Sequence, residues 1–152
     1  MTDWNDIITA VATVLEGDPT GGAPRLRALW ESSSPDEHAQ RCVLAHYLAD
    51  LQPHLTEEVR WDELALEEFS SVHQDDLRPV GITSAAGMAP SLHLNLGDGY
   101  RRQGEIERAR EQLHLGQTAL AALTEDGYST MIRKGLDRLR RRLDTNDPPS
   151  KS

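Results

Sequence analysis

Apolar residues in this chain recur every three to four positions and almost never alternate, which is the period of a helix and not of a strand. Trp4, Ile7, Ile8, Val11 and Leu15 fall at i, i+3, i+4, i+7 and i+11, with Thr2 or Asp3 placed to cap the helix and Gly17-Asp18-Pro19 to stop it. After this turn, Leu26, Leu29 and Trp30 predict a short second helix that ends before Ser32-Ser33-Ser34-Pro35. Ser34 as N-cap and Pro35 at the first helical position predict a third, with Leu44, Tyr47, Leu48 and Leu51 as its apolar stripe. Pro53 ends it by excluding the helical conformation from Gln52. Thr56 caps a fourth helix, carried by Trp61, Leu64, Ala65, Phe69 and Val72 to about Gln74, so that the third and fourth form an antiparallel hairpin.

The stretch 77–89 breaks the pattern with Pro79, Gly81 and Gly87, and a loop of that length in a small domain is packed or functional. Helix five runs from about Pro90, with Leu92, Leu96 and Tyr100 on one face, to a turn at Gly104. Ile106, Ala109, Leu113, Leu120 and Leu123 predict helix six, and Ile132, Leu136, Leu139 and Leu143 predict helix seven, over 127–143. The polar, proline-bearing stretch 144–152 reads as a disordered tail, leaving 1–143 as one all-α domain.

Composition adds few constraints. The 152 residues carry a net charge of −9, which disfavours wholesale binding to nucleic acid or anionic lipid. Charge is unevenly divided, with −11 over residues 1–75 and +2 over 76–152. The longest apolar run is Ala119-Leu120-Ala121-Ala122-Leu123, too short to span a membrane. A single cysteine, Cys42, and an acidic Met1-Thr2-Asp3 start predict a cytoplasmic protein.

Residues 90–123 hold Leu96-Gly97, Tyr100, Gly104, Ile106, Ala109 and Leu113 at the spacing of a 34-residue helix–turn–helix repeat. This segment resembles the tetratricopeptide repeat family. Departures are His93 where the family has Trp, Gly116 where it has a small alanine, and Ala121 where proline often ends the second helix. Leu44-Ala45 with Ala65 and Phe69 stands for an earlier repeat stretched by eight residues. Cys42 to Asp50 and Pro90 to Leu96 are also similar to segments of small actinobacterial helical-repeat proteins. The resemblance implies a short α-solenoid of stacked antiparallel hairpins with helix seven as its C-terminal cap, and it brings no activity with it.

In that family the first helix of each hairpin lines a concave groove. The matching positions are Cys42, His46, Ala49 and Asp50 on helix three, and Ser91, Leu94, Asn95, Asp98, Arg101 and Arg102 on helix five. Asn95 and Arg102 together suit a carboxylate, since arginine offers a bidentate fork and asparagine two further donors. The plainer alternative is that Arg101 and Arg102 form a solvated face paired with Asp98 and Glu105. Within the groove His46 is the titrating residue, expected to be held protonated by Asp50 and Asp98.

Cys42, His46 and Asp50 follow one another at four-residue steps, and Cys42 with His46 suits a metal site that takes Asp50 or His93 as its third ligand. Each step slips 40° around the helix, however, so few of them converge. Three groups on successive turns point outward in parallel, against a nucleophile–base–orienter arrangement. Gly97-Asp98-Gly99 lacks both the third glycine and the preceding strand of a dinucleotide site. The Arg138, Arg140, Arg141, Arg142 cluster suits the negative end of a helix as well as it suits a polyanion.

The sequence therefore predicts a non-catalytic, cofactor-free interaction module that binds a peptide or protein in a helical groove. The alternative is a small-molecule- or metal-responsive domain using the Cys42/His46/Asp50 face. A homodimer is a further expectation, from the acidic N-terminal half and the basic helix seven.

Overall fold

In a computed structural model, residues 1–123 and 126–145 are described. Among them the chain forms seven α-helices and no strand: α1 (Trp4–Leu15), α2 (Pro19–Ser32), α3 (His38–Asp50), α4 (Leu55–Phe69), α5 (Ala89–Arg102), α6 (Ile106–Ala121) and α7 (Gly127–Asp144). The all-α expectation is met. The chain gathers into two compact units, Met1–Thr83 and the described residues from Ser84 onward. Of the expected tail, Asp144 closes α7 and residues 146–152 lie outside the described residues.

In the first unit α1 packs on α2, α2 on α3, and α3 most extensively on α4. Asp3 caps α1, its side chain accepting from the Asn5 N–H at 2.8 Å. The stop expected at Gly17-Asp18-Pro19 is also a start. Asp18 accepts from the Gly21 N–H at 2.9 Å, so α2 begins at Pro19, well before Leu26, and runs through Pro24. Glycine at position 22 serves a close crossing, because an added Cβ would run into the Val14 side chain and lie 3.2 Å from the Ala10 carbonyl oxygen.

The start of α3 is displaced the other way. It begins at His38, after a turn over 34–37 in which the Glu37 N–H donates to the Ser34 carbonyl at 3.0 Å and the Glu37 carboxylate accepts from the Ser34 N–H at 2.9 Å. The same buried carboxylate accepts from the Thr2 N–H at 2.7 Å and the Thr2 hydroxyl at 3.2 Å, tying the first residues to the α2–α3 connection. The fourth helix begins one residue before Thr56 and ends at Phe69, short of Gln74.

The Ser34 N–H holds the Glu37 carboxyl below its ordinary pKa against the opposing effect of burial, and Thr2 adds to the lowering. Its stabilising contribution is therefore present above the unfolded value of about 4.3 and is lost as pH falls through the lower folded value. Glu37→Ala is expected to destabilise the first unit at pH 7 by about 1–3 kcal/mol, the cost of leaving the buried Thr2 N–H unpaired. Urea titrations at pH 7 and pH 3 check this, since the gap between variant and parent should narrow at pH 3.

The 77–89 segment is packed, as its length suggested. Leu77 is fully buried and Arg78–Val80 forms a 3₁₀ turn against α1, while Ala85–Met88 forms a second 3₁₀ turn against α5.

In the second unit α5 and α6 form the hairpin and α7 packs against both. Gly104 turns the chain with φ of +81°, a conformation that glycine adopts without strain. Each helix presents a glycine where the three cross. A Cβ on Gly97 would lie 3.0 Å from Leu139 Cδ2 and 3.3 Å from Gln112 Cβ, one on Gly116 would lie 2.9 Å from Leu136 Cδ2, and one on Gly135 would lie 2.6 Å from Leu94 Cδ2. Ile132, Leu136, Leu139 and Leu143 are all buried, the inward stripe expected of helix seven. Asp126 and Ser129 close a reciprocal capping box at its start. At its end Arg110 of α6 donates to the Leu143 carbonyl at 2.9 Å and pairs with Asp144 at 3.1 Å.

Candidate functional site

The sequence-predicted residues fall into two groups, with Cys42, His46 and Asp50 on α3 of the first unit and Leu94, Asn95, Asp98, Arg101 and Arg102 on α5 of the second.

On α3, eight of thirteen residues are buried, because α1, α2 and α4 all pack against it. Cys42 is among them, fully enclosed, so it presents nothing to a partner. Burial, with a smaller contribution from the charge of Glu68, pushes its thiol up to about 12. A protonated, buried thiol behaves as a small apolar side chain, whereas nucleophiles and metal ligands are thiolates. Among the described residues no three His, Cys, Asp or Glu side chains come together as a metal site.

His46 is half-buried, its ring meeting Tyr47 edge-on with centroids 5.1 Å apart. Its Nδ1 is buried and has no hydrogen-bond partner among the described residues. Burial lowers the imidazole pKa and outweighs the opposing charge of Asp50. The expectation that His46 is held protonated is thus reversed, because desolvation of the cation exceeds the attraction of a carboxylate at the exposed end of α3. Asp50 in turn has its carboxyl pushed up by partial removal from water, with His46 lowering it and Glu58 raising it.

A neutral His46 in the fold carries a pH signature. Because its folded pKa lies below the unfolded 6.5 or so, its contribution is complete above that value and is lost as pH falls toward the folded one. The unfolding midpoint is expected to drop as pH is lowered from 7 through 6 to 5, and His46→Gln is expected to flatten that drop. Thermal melts of both proteins at half-unit pH steps check it. Asp50 acts in the opposite sense at lower pH, since its raised folded pKa makes protonation favour the fold.

On α5 no residue is fully exposed. Leu94 does not face a groove; its side chain fills the space above Gly135 of α7. Asp98 sits between two cations, accepting from Arg101 Nε at 3.2 Å and Arg102 Nε at 3.1 Å. The expected pairing with Asp98 is thus present, yet the face is not solvated, for Arg101 is only 6% exposed. Ser91, Asn95, Asp98 and Arg102 form a half-buried polar line at i, i+4, i+7 and i+11. Ser91 meets the hydroxyl of Tyr128 on α7 at one end of this line. His93, one of the two residues expected as a third metal ligand, bonds Gln112 Oε1 through Nδ1 at 2.8 Å, which stitches α5 to α6.

Sequence reasoning missed an aromatic and cationic stack in the first unit. Trp30 and Trp61 meet edge-on with centroids 5.0 Å apart, Arg41 lies 4.4 Å over Trp30, and Arg27 lies 5.5 Å over Trp61. Glu68 holds this arrangement, pairing with His38 at 2.7 Å and Arg41 at 3.5 Å. Each tryptophan was visible as an apolar position, but their meeting depends on how α2, α3 and α4 cross. Among the described residues no helix is long and apolar enough to cross a membrane. Comparison of the chain with protein families, with curated proteins and with solved structures finds no match.

Proposed function

We infer that the protein is a non-catalytic interaction module, of the tetratricopeptide type suggested by residues 90–123, that holds a peptide or protein partner along α5. The observation that supports this reading is the half-buried polar line Ser91, Asn95, Asp98 and Arg102. A helix with no exposed residue would ordinarily carry apolar side chains throughout, so a polar line recessed on such a helix is suited to recognition. Arg101 and Arg102 flank Asp98 and present guanidinium donors, and Asn95 adds amide donors one turn away. That combination suits a carboxylate on an extended peptide or an acidic side chain of a docked protein. The cytoplasm is the compartment proposed, where the free, buried Cys42 stays reduced.

A photo-crosslinking residue placed at Asn95, with the exposed Thr118 of α6 as control, tests the reading in the native cell. One defined adduct at position 95 and none at 118 is the expected result. The partner so identified should bind the Asn95→Ala/Arg102→Ala variant at least tenfold more weakly while the melting temperature changes little. Equal labelling at both positions, or undiminished affinity of the variant, would reject α5 as the binding surface.

A further inference from the structure

We propose that the outer face of α1 on one copy of this chain docks on the outer face of α7 on a second copy, giving a head-to-tail self-association. This surface touches the recessed line on α5 at one point, where the Tyr128 hydroxyl meets Ser91. Six large apolar side chains are exposed among the described residues, and five of them lie on or beside these two helices. On α1 they are Ile8 and Leu15, 41% and 71% exposed, with Met1 ahead of them; on α7 they are Tyr128 and Met131, 37% and 62% exposed.

Periodicity places each set on one side of its helix. Ile8 and Leu15 are seven residues apart, two turns, with the half-buried Ala12 between them, while Ile7 and Ala10 face inward. Neighbouring hydroxyls add no competing polarity. Thr9 bonds back to the Asn5 carbonyl at 2.8 Å and Thr13 to the Thr9 carbonyl at 2.9 Å, so each hydroxyl is engaged with its own helix. On α7 the exposed line continues from Met131 through Lys134, Arg138 and Arg141, and these three cations make no ion pair with any described residue.

Charge identifies the occupant. The first 24 residues hold four acids, Asp3, Asp6, Glu16 and Asp18, and no basic residue, whereas α7 holds six basic side chains against two acidic ones. An apolar line flanked by acids and an apolar pair continued by cations complement each other, while two copies of either face would set like charges opposite one another. The contact is heterologous, so assembly continues beyond a dimer or closes into a ring. A single helix-on-helix contact is smaller than the ~800 Å² per partner of a standard interface. Association is therefore weak, and the added charge attraction is screened by salt.

Two variants, each blocked on one face, decide the matter by sedimentation from micromolar to millimolar concentration in low salt. Ile8→Gln/Leu15→Gln removes the apolar line of α1 without adding charge, and Arg138→Glu/Arg141→Glu blocks α7; all four positions are exposed, and circular dichroism confirms that both variants are folded. The expected results are a parent whose mass grows with concentration and falls in high salt, two variants that are each monomeric alone, and an equimolar mixture that forms a dimer and nothing larger. A parent that stays monomeric throughout overturns the proposal. So does either variant dimerising alone, which would show a like-on-like contact. Parent oligomers that vanish on nuclease treatment or detergent extraction would assign the α7 face to a polyanion or a lipid surface and overturn it equally.

Discussion

Leu136→Ala is expected to destabilise the second unit by about 2–5 kcal/mol, the range for removing a fully buried leucine from a core that relaxes only in part. Leu136 is 1% exposed, and its Cδ2 packs over the bare backbone of Gly116, 2.9 Å from where a Cβ there would stand. The alanine variant therefore leaves a void on the α6 side of α7 that neither backbone can close. A second substitution sharpens the test. Gly116→Ala alone forces the new methyl against Leu136 Cδ2 and to 3.3 Å from His93 Cβ, but combined with Leu136→Ala the same methyl enters space already vacated. The double variant should cost less than the sum of the two singles. Urea unfolding of all four proteins measures the difference, and additivity within about 0.5 kcal/mol would mean that α6 and α7 do not cross at these residues.

Gly97→Leu is expected to cost about 1–3 kcal/mol, as overpacking a close crossing does. The first added carbon already meets Leu139 Cδ2 at 3.0 Å, Gln112 Cβ at 3.3 Å and the Ala109 carbonyl oxygen at 3.5 Å. Two of these belong to α6, and the carbonyl is backbone that cannot swing aside. Gly135→Ala makes the contrast. Its close contacts are all with the end of the Leu94 side chain, which can rotate away, and alanine gains up to about 1 kcal/mol over glycine in a helix. That variant should melt at or above the parent temperature. Equal melting of the Gly97→Leu variant and the parent would show that the α5–α6 register is not the one described.

These contrasts also mark how far the sequence could be read. The glycine and alanine positions of the 90–123 hairpin were legible as a close crossing, because a repeat spacing that places small residues opposite each other has few other uses. Ala109 is indeed fully buried beside Gly97, Tyr100 is buried, and Gly104 makes the turn. The third glycine of the crossing, Gly135, had no such spacing to announce it. On α1, all five apolar positions looked alike by period, yet only Ile7 is buried while Ile8 and Leu15 are exposed. A stripe wider than one contact face cannot say which half the neighbouring helix will take.

The candidate site divides in the same way. The sequence placed His46, Asp50, Asn95, Asp98 and Arg102 on their helices, since side-chain spacing follows from 3.6 residues per turn. It could not place Cys42 and Leu94, which looked groove-facing but are respectively enclosed in a core and packed over Gly135. It also assigned His46 the wrong charge, because the sequence shows the neighbouring carboxylate but not the loss of water that outweighs it.

By itself, then, the sequence determined an all-helical chain, the number of its long helices, most of their ends and the tight turn at Gly104. These depend on local periodicity, capping and backbone freedom, which act within a few residues. Only the tertiary structure decided that Glu37 reaches back to Thr2 and that the chain gathers into two compact units. It likewise decided which apolar faces stay uncovered and which polar groups lose their water. Those outcomes depend on contacts between residues far apart in the chain, and no local pattern encodes the energy of a contact whose partner has yet to arrive.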